Sequence, residues 1–379
     1  LRSYDLRRNA VTRNIELNGQ PINDTDLNNI YVACLENFGK KEVNMQLINA
    51  IVDSDFVITY NPFLEFFAKN AHRQPTGCIE ALTNTITSTT QEHAFVQMCI
   101  YKWLCSVVAS MQGDYSLAIL VLCGDQGIGK TNFFRNLLPA ELRSYYGESK
   151  LDAGKDDEIL MCKKIILCDD EFGGKSKQEA KKLKELSSKQ TFSIRKPYGR
   201  VHEELTRYAV LCGTSNDEEV INDLTGNRRI FPIVISDIDW DAYNAVDKTD
   251  LFIEAYHSYK TNGADAWQLS KAEIITLNEK TANNVQPAVE KELLFNYFEL
   301  PNEKNKDIAE WLTNSEIKNI LESYTEQKIN PNKLGAVLKS IGCKKVSRAE
   351  RNNRGCYLIV TKTKSSDYVQ IADNKRYPF

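Results

Sequence analysis

Gly124-Asp-Gln-Gly-Ile-Gly-Lys-Thr131, a complete G-x-x-x-x-G-K-[ST] pattern, follows the apolar run Leu117-Ala-Ile-Leu-Val-Leu122. The glycines allow backbone angles and close approaches that a Cβ forbids, so that successive N–H groups can curl around a phosphate. Lys130 brings a cation and Thr131 a hydroxyl suited to Mg²⁺. Thr131 to Leu138, stopped by Pro139, reads as a short helix whose positive end faces the phosphates. The spacing therefore predicts a strand, a phosphate loop and a helix in succession. The nucleotide-contacting set is Gly124, Asp125, Gln126, Gly127, Ile128, Gly129, Lys130, Thr131 and Asn132.

Two more apolar runs extend this core. Ile165-Ile-Leu-Cys168 ends in Asp169-Asp170-Glu171, and three carboxylates at the end of a buried strand belong beside a cation. Asp170 is the best metal-holding acid, Glu171 the residue that orients and polarises an attacking water, and Asp169 could exchange roles with its neighbour. Tyr208-Ala-Val-Leu-Cys212 leads into Gly213-Thr-Ser-Asn216, where Asn216 suits a sensor of the terminal phosphate. Uninterrupted apolar strands imply a parallel sheet covered on both faces. Asp223-Leu-Thr-Gly-Asn-Arg228-Arg229 then precedes a strand from Ile230 to Ile235. Either arginine could stabilise a transferring phosphoryl group, in its own site or in a neighbouring subunit's.

Between the acids and the sensor lies Thr191-Phe-Ser-Ile-Arg195-Lys196-Pro197-Tyr198-Gly199-Arg200. Arg195, Lys196, Tyr198 and Arg200 combine charge for phosphates with a ring for stacking, the needs of a single nucleic-acid strand. The helix expected over 175–189 is lysine-rich and reads as a solvated face, with Ala180, Leu183 and Leu186 on its apolar side.

Flanking segments differ in character. Residues 1–105 read as a helical collar or oligomerisation domain, with helical spacing in Leu27-Ile30-Tyr31-Cys34-Leu35-Phe38 and Val43-Leu47-Ile48-Ile51 and a Pro-started helix from Pro62 to Ala68. Residues 106–285 hold the nucleotide machinery. Residues 286–379 read as short helices (290–298, 308–312, 314–324 and 331–341) before the strand Tyr357-Leu-Ile-Val360, a winged-helix pattern. There Lys333 and Lys339 lie on the candidate recognition helix, and Arg348, Arg351 and Arg354 on the wing. From Trp311 to Phe379 thirteen Lys or Arg stand against six Asp or Glu, although the whole chain carries a net charge of −3. A basic module on an acidic body fits a polyanionic partner.

Composition narrows the classes further. With 379 residues, 42% hydrophobic and 26% charged, the chain can bury the core of a soluble globular protein. No apolar run approaches the roughly 20 residues that span a bilayer, and no signal segment opens the chain, so a cytoplasmic protein without a membrane partner is expected. Ten scattered cysteines without a C-x-x-C pair read as small core residues in a reducing compartment.

The succession GDQGIGKT, DDEF, SIRKPYGR, RYAVLCGTSN and DLTGNRRIFPI resembles the virulence-associated protein E family, relatives of the superfamily 3 helicases within the AAA+ ATPases. The likeness extends back through Leu1-Arg-Ser-Tyr-Asp and Tyr60-Asn-Pro-Phe63, covering at least residues 1–240. It implies an α/β fold with an AAA+-type P-loop core, a ring that is usually hexameric, ATP and Mg²⁺ between subunits, and single-stranded or forked DNA as partner. It further implies Asn216 as sensor and Arg228 or Arg229 as a finger given in trans. Asp-Asp-Glu stands here in a row where many members space their glutamates, which leaves the separate roles of Asp169 and Asp170 open. Members occur in phages and mobile elements, often behind a primase-like region. No such segment is read here, and with Leu1 as its first residue the chain is expected to be a fragment of something longer. The competing expectation is a nucleotide-gated assembly or signalling ATPase with protein partners.

Overall fold

The structure is a computed structural model that describes residues 4–151, 154–173, 175, 177–195, 202–221, 229–284, 289–303, 305–325, 328–351 and 353–362. Two compact units divide the chain, Leu1–Val285 and Gln286–Phe379.

The first unit opens with strands β1 (Leu6–Asn9), β2 (Ile15–Leu17) and β3 (Gln20–Pro21), then helices α1 (Asp24–Phe38) and α2 (Met45–Val52), strand β4 (Ile58–Tyr60) and helices α3 (Pro62–Lys69) and α4 (Cys78–Asn84). Local chemistry sets the helix starts. Asn23 and Asp26 form a capping box on α1, Asn44 caps α2, and Asn61 caps α3 with Pro62 in its first turn. Strands β3-β2-β1-β4 form a sheet that helical periodicity alone did not disclose, because each has two to four residues.

Next come β5 (Ile86–Thr87) and α5 (His93–Met111), which runs unbroken across position 105. Alone among the described helices, α5 is long and apolar enough to cross a membrane by length and composition. It is instead a core helix: Trp103 is fully buried and its Nε1 donates to the carbonyl of Leu211, 2.8 Å away.

The central elements are β6 (Ile119–Cys123), α6 (Lys130–Arg135), β7 (Tyr146–Glu148), α7 (Lys155–Lys163), β8 (Ile166–Asp169), α8 (Lys177–Ser188), β9 (Thr191–Arg195), β10 (His202–Thr206), β11 (Val210–Ser215) and β12 (Ile230–Val234). Five of them make one sheet in the order β12-β6-β11-β8-β7, every pair parallel. A parallel sheet must be covered on both faces, and β6 records this residue by residue. Leu120 and Leu122 join the apolar cluster of Trp103 and Phe134, whereas Ile119, Val121 and Cys123 join that of Met161, Leu183 and Phe192. Leu183 and Leu186 are buried, as the apolar side of the lysine-rich helix requires. Strands β9 and β10 pair as a hairpin with Arg195 opposite His202. The unit closes with β13 (Asp237–Ile238), α9 (Trp240–Ala245), α10 (Lys248–Asn262) and α11 (Lys271–Lys280). All ten cysteines are free thiols, and eight are buried.

The second unit runs α12 (Val289–Tyr297), β14 (Phe298–Glu299), β15 (Glu310–Thr313), α13 (Asn314–Tyr324), α14 (Pro331–Ser340), β16 (Lys345–Arg348) and β17 (Arg354–Thr361). Its sheet is antiparallel, with β15 and β16 both pairing β17. The helix expected over 308–312 is not formed: a 3₁₀ turn, Lys306–Ile308, precedes strand β15. Pairing of Trp311 and Leu312 with Leu358 and Tyr357 outweighs the local preference of that short run.

Trp103→Ala removes the largest fully buried side chain among the described residues and the indole N–H bond to the Leu211 carbonyl. It is expected to lower unfolding free energy by about 3–5 kcal/mol, read from denaturant titration of the whole chain.

Candidate phosphate-loop site

The phosphate loop leaves β6 where the sheet ends. Gly124 has φ 149°, and a Cβ there would overlap the carbonyl oxygen of Ile235. Gly129, at φ 95°, lies against the indole of Trp240, which a Cβ would strike. Both positions need glycine for conformation and for space. Lys130 then opens α6 and is only 7% exposed. Its Nζ donates to the carbonyls of Gly124 and Asp125, both at 2.7 Å, and to Asn216 Oδ1 at 3.2 Å. Burial draws the Lys130 ammonium below the usual lysine range, while Asp125 and Asp170 oppose that shift.

Strand alternation separates the acids. Asp169, the last residue of β8, is fully buried, and its Oδ2 lies 2.6 Å from Lys175 Nζ. Asp170 is exposed and accepts hydrogen bonds from the hydroxyls of Thr131 and Thr214, the latter at 2.9 Å. The structure thus brings Asp170, and not Asp169, to the hydroxyl at the start of α6. Glu171 Oε2 sits 2.9 Å from Lys150 Nζ, and both side chains are 74% exposed. Such an exposed pair contributes at most about 1 kcal/mol. Lys150, Asp170, Glu171, Lys175 and Asn216 border one open polar cavity of about 390 Å³.

The arginines stand elsewhere. Parallel register sets Ile230 beside Ile119 and Val234 beside Cys123, so Arg229 lies at the opposite end of the sheet from the loop. Gly124 is six residues beyond the position beside Arg229, roughly 20 Å at about 3.3 Å per residue, and Arg229 instead reaches towards the Lys184 carbonyl, 3.5 Å away. Arg229 is therefore not part of its own chain's phosphate site; Arg228 lies outside the described residues. So do Lys196, Tyr198 and Arg200, with the side chain of Arg195. In the second unit Lys333 and Lys339 are exposed on α14 and Arg354 is exposed at the start of β17, whereas the Arg351 side chain is outside the described set. The Arg348 guanidinium stacks on Trp311, 4.6 Å from the ring centroid.

Reading the sequence missed Thr214, Lys150, Lys175 and Trp240. Thr214 had a signal, since strand alternation puts it on the same side of β11 as Cys212, two residues before Asn216. The lysines had none, because loop conformation and not strand or helix periodicity brings Lys150 to Glu171 and Lys175 to Asp169. The site fits a magnesium nucleotide on its own geometry: a loop whose glycines at 124, 127 and 129 all have positive φ, a buried cation, and hard oxygen donors in Thr131 and Asp170.

A parallel sheet in this order, with its phosphate loop between β6 and α6, defines an α/β protein with an AAA+-type P-loop core. The Virulence-associated protein E-like domain matches residues 72–286, more than half of the chain, and the chain belongs to this family. No curated protein matches it. Among solved structures, "The apo structure of NrS-1 C terminal region (305-718)" is similar over 95% of this chain and 96% of that one, with 13% identity and a TM-score of 0.50. Its A form covers the same shares at 13% identity and a TM-score of 0.47. At such identity the likeness concerns the fold alone.

Asp169→Asn leaves the Lys175 ammonium without its buried counter-charge. It is expected to cost about 3 kcal/mol in a denaturant titration, whereas Asp170→Asn, at an exposed carboxylate, is expected to cost less than about 1 kcal/mol.

Proposed function

We propose that this chain is the motor of an ATP-dependent DNA helicase or translocase in the replication of a phage or mobile element, working as a ring of copies, with six the expected number. The observation that carries the reading is the convergence of Lys130, Thr131, Asp170, Thr214 and Asn216 at the carboxyl ends of three parallel strands. Mg-ATP, when bound, would supply the reactive phosphoryl group and a divalent cation to offset its charge. Lys130 neutralises phosphate charge, Thr131 and Asp170 hold the metal, and Asn216 senses the terminal phosphate. Glu171, once turned from Lys150, orients the attacking water. Arg229 lies away from this cluster within its own chain, which supports donation of Arg228 or Arg229 by a neighbouring copy.

The 195–200 segment is read as the strand-gripping loop, carried on the β9–β10 hairpin. The second unit is read as a winged helix: the order α12, β15, α13, α14, β16, β17 supports it. Lys333, Lys339, Arg351 and Arg354 then meet DNA phosphates.

Lys130→Ala is expected to depress DNA-stimulated ATP hydrolysis and strand displacement by at least about a hundredfold. The double variant Lys196→Ala, Tyr198→Ala should lose DNA stimulation and displacement. Unchanged unwinding in it removes the loop assignment. Hydrolysis indifferent to DNA, with no salt-sensitive binding of labelled single strands, would favour a nucleotide-gated assembly ATPase with protein partners instead.

A further inference from the structure

We infer that the indole of Trp240 is the platform on which the base of the nucleotide stacks, and so the residue by which this site prefers a nucleoside triphosphate to bare triphosphate. The inference rests on the nucleotide reading above. Sheet order supplies the direction. Asn216 follows β11 and Asp170 follows β8, both on one side of β6, and β12 is the neighbour on the other side. A triphosphate in the loop after β6, with its terminal phosphate towards Lys130, Asn216 and Asp170, must send its nucleoside to the β12 side.

Trp240 is the aromatic that the chain delivers there. Beyond β12, the Ile235 carbonyl abuts Gly124 and the indole covers Gly129, where a Cβ would meet Cζ2 head-on and lie 3.1 Å from Cε2. The ring is held from several directions. Asp239 caps α9 through the N–H of Ala242 at 3.0 Å, and its own N–H donates to the Thr85 carbonyl at 2.8 Å. The Ser236 N–H donates to the Thr87 carbonyl at 2.9 Å. Tyr243 packs edge-on against the indole, with centroids 5.2 Å apart, and its hydroxyl donates to the Phe133 carbonyl in α6 at 2.6 Å. Wall and phosphate-loop helix are thereby tied into one body.

Trp240 is nevertheless part-exposed, in contrast to the fully buried Trp103. A pre-ordered, part-exposed aromatic beside a phosphate cradle is what base stacking needs, since little ordering cost remains on binding. Stacking alone tolerates any base. The site accordingly tells nucleotides from inorganic polyphosphate more sharply than one base from another.

The test measures equilibrium binding of ATP and of inorganic tripolyphosphate, each with Mg²⁺, to the full chain and to Trp240→Ala and Trp240→Phe. Trp240→Ala should lose about tenfold in ATP affinity, the scale of a base–aromatic stack, with tripolyphosphate affinity retained, and Trp240→Phe should recover most of the loss. Equal weakening of both ligands would reduce Trp240 to a buttress for Gly129 and overturn the inference, as would unchanged ATP affinity. If Trp240→Ala does not fold, the conservative variant decides: ATP-induced quenching of indole fluorescence in the wild type should vanish in Trp240→Phe, and its persistence refutes the stack. A wild-type chain that binds neither ligand defeats the nucleotide reading itself, and the stack with it.

Discussion

The parallel pairing of β6 with β11 is the constraint on which the site depends. It aligns Cys123 with Ser215, so the loop that begins at Gly124 and the polar turn that begins at Asn216 emerge side by side. Lys130 and Asn216, 86 residues apart in sequence, consequently meet at 3.2 Å. The register holds because each strand is buried on both faces: a slip of one residue would move every side chain of β6 into the wrong apolar cluster. Packing thus secures polar geometry that the polar groups could not secure by themselves.

Charge is graded across the same strand ends. Asp169 is wholly buried, with its Oδ2 paired to Lys175. Asp170 accepts from two hydroxyls, that of buried Thr214 among them, and Glu171 pairs with an exposed lysine. Three consecutive acids therefore occupy three environments of decreasing constraint, and on the proposed reading the least constrained is the one that must move. The arginines complete the picture by their position. Arg229 stands at the amino end of β12, the far end of the sheet from the loop, which makes the phosphate site of one chain a half-site on that reading.

Legibility followed the range of the interaction. The strand, loop and helix around Gly124, the four core strands and the Pro-started helices at Pro62 and Pro331 were readable, because periodicity, caps and glycine spacing are local signals. Strand β7 and the sheet of β1 to β4 were not, since strands of two to four residues carry no period of their own. Strand β15 looked helical until its partner on β17 was known. Asp169 and Asp170 could not be separated in the sequence, because which of two adjacent residues faces the loop depends on the phase of β8 in the sheet.

By itself the sequence determined that a glycine-rich loop joins an apolar strand to a helix, that acids end one further strand and an asparagine follows another, and that the carboxyl-terminal module is basic. These are properties of neighbouring residues, set by backbone sterics and by burial. Tertiary structure alone decided the strand order, the pairing of Asp169 with Lys175 and of Asp170 with Thr131, the remoteness of Arg229, and the indole wall of Trp240 beside Gly129. Each of these joins residues that only sheet register and helix packing bring together, and register is a property of the whole core.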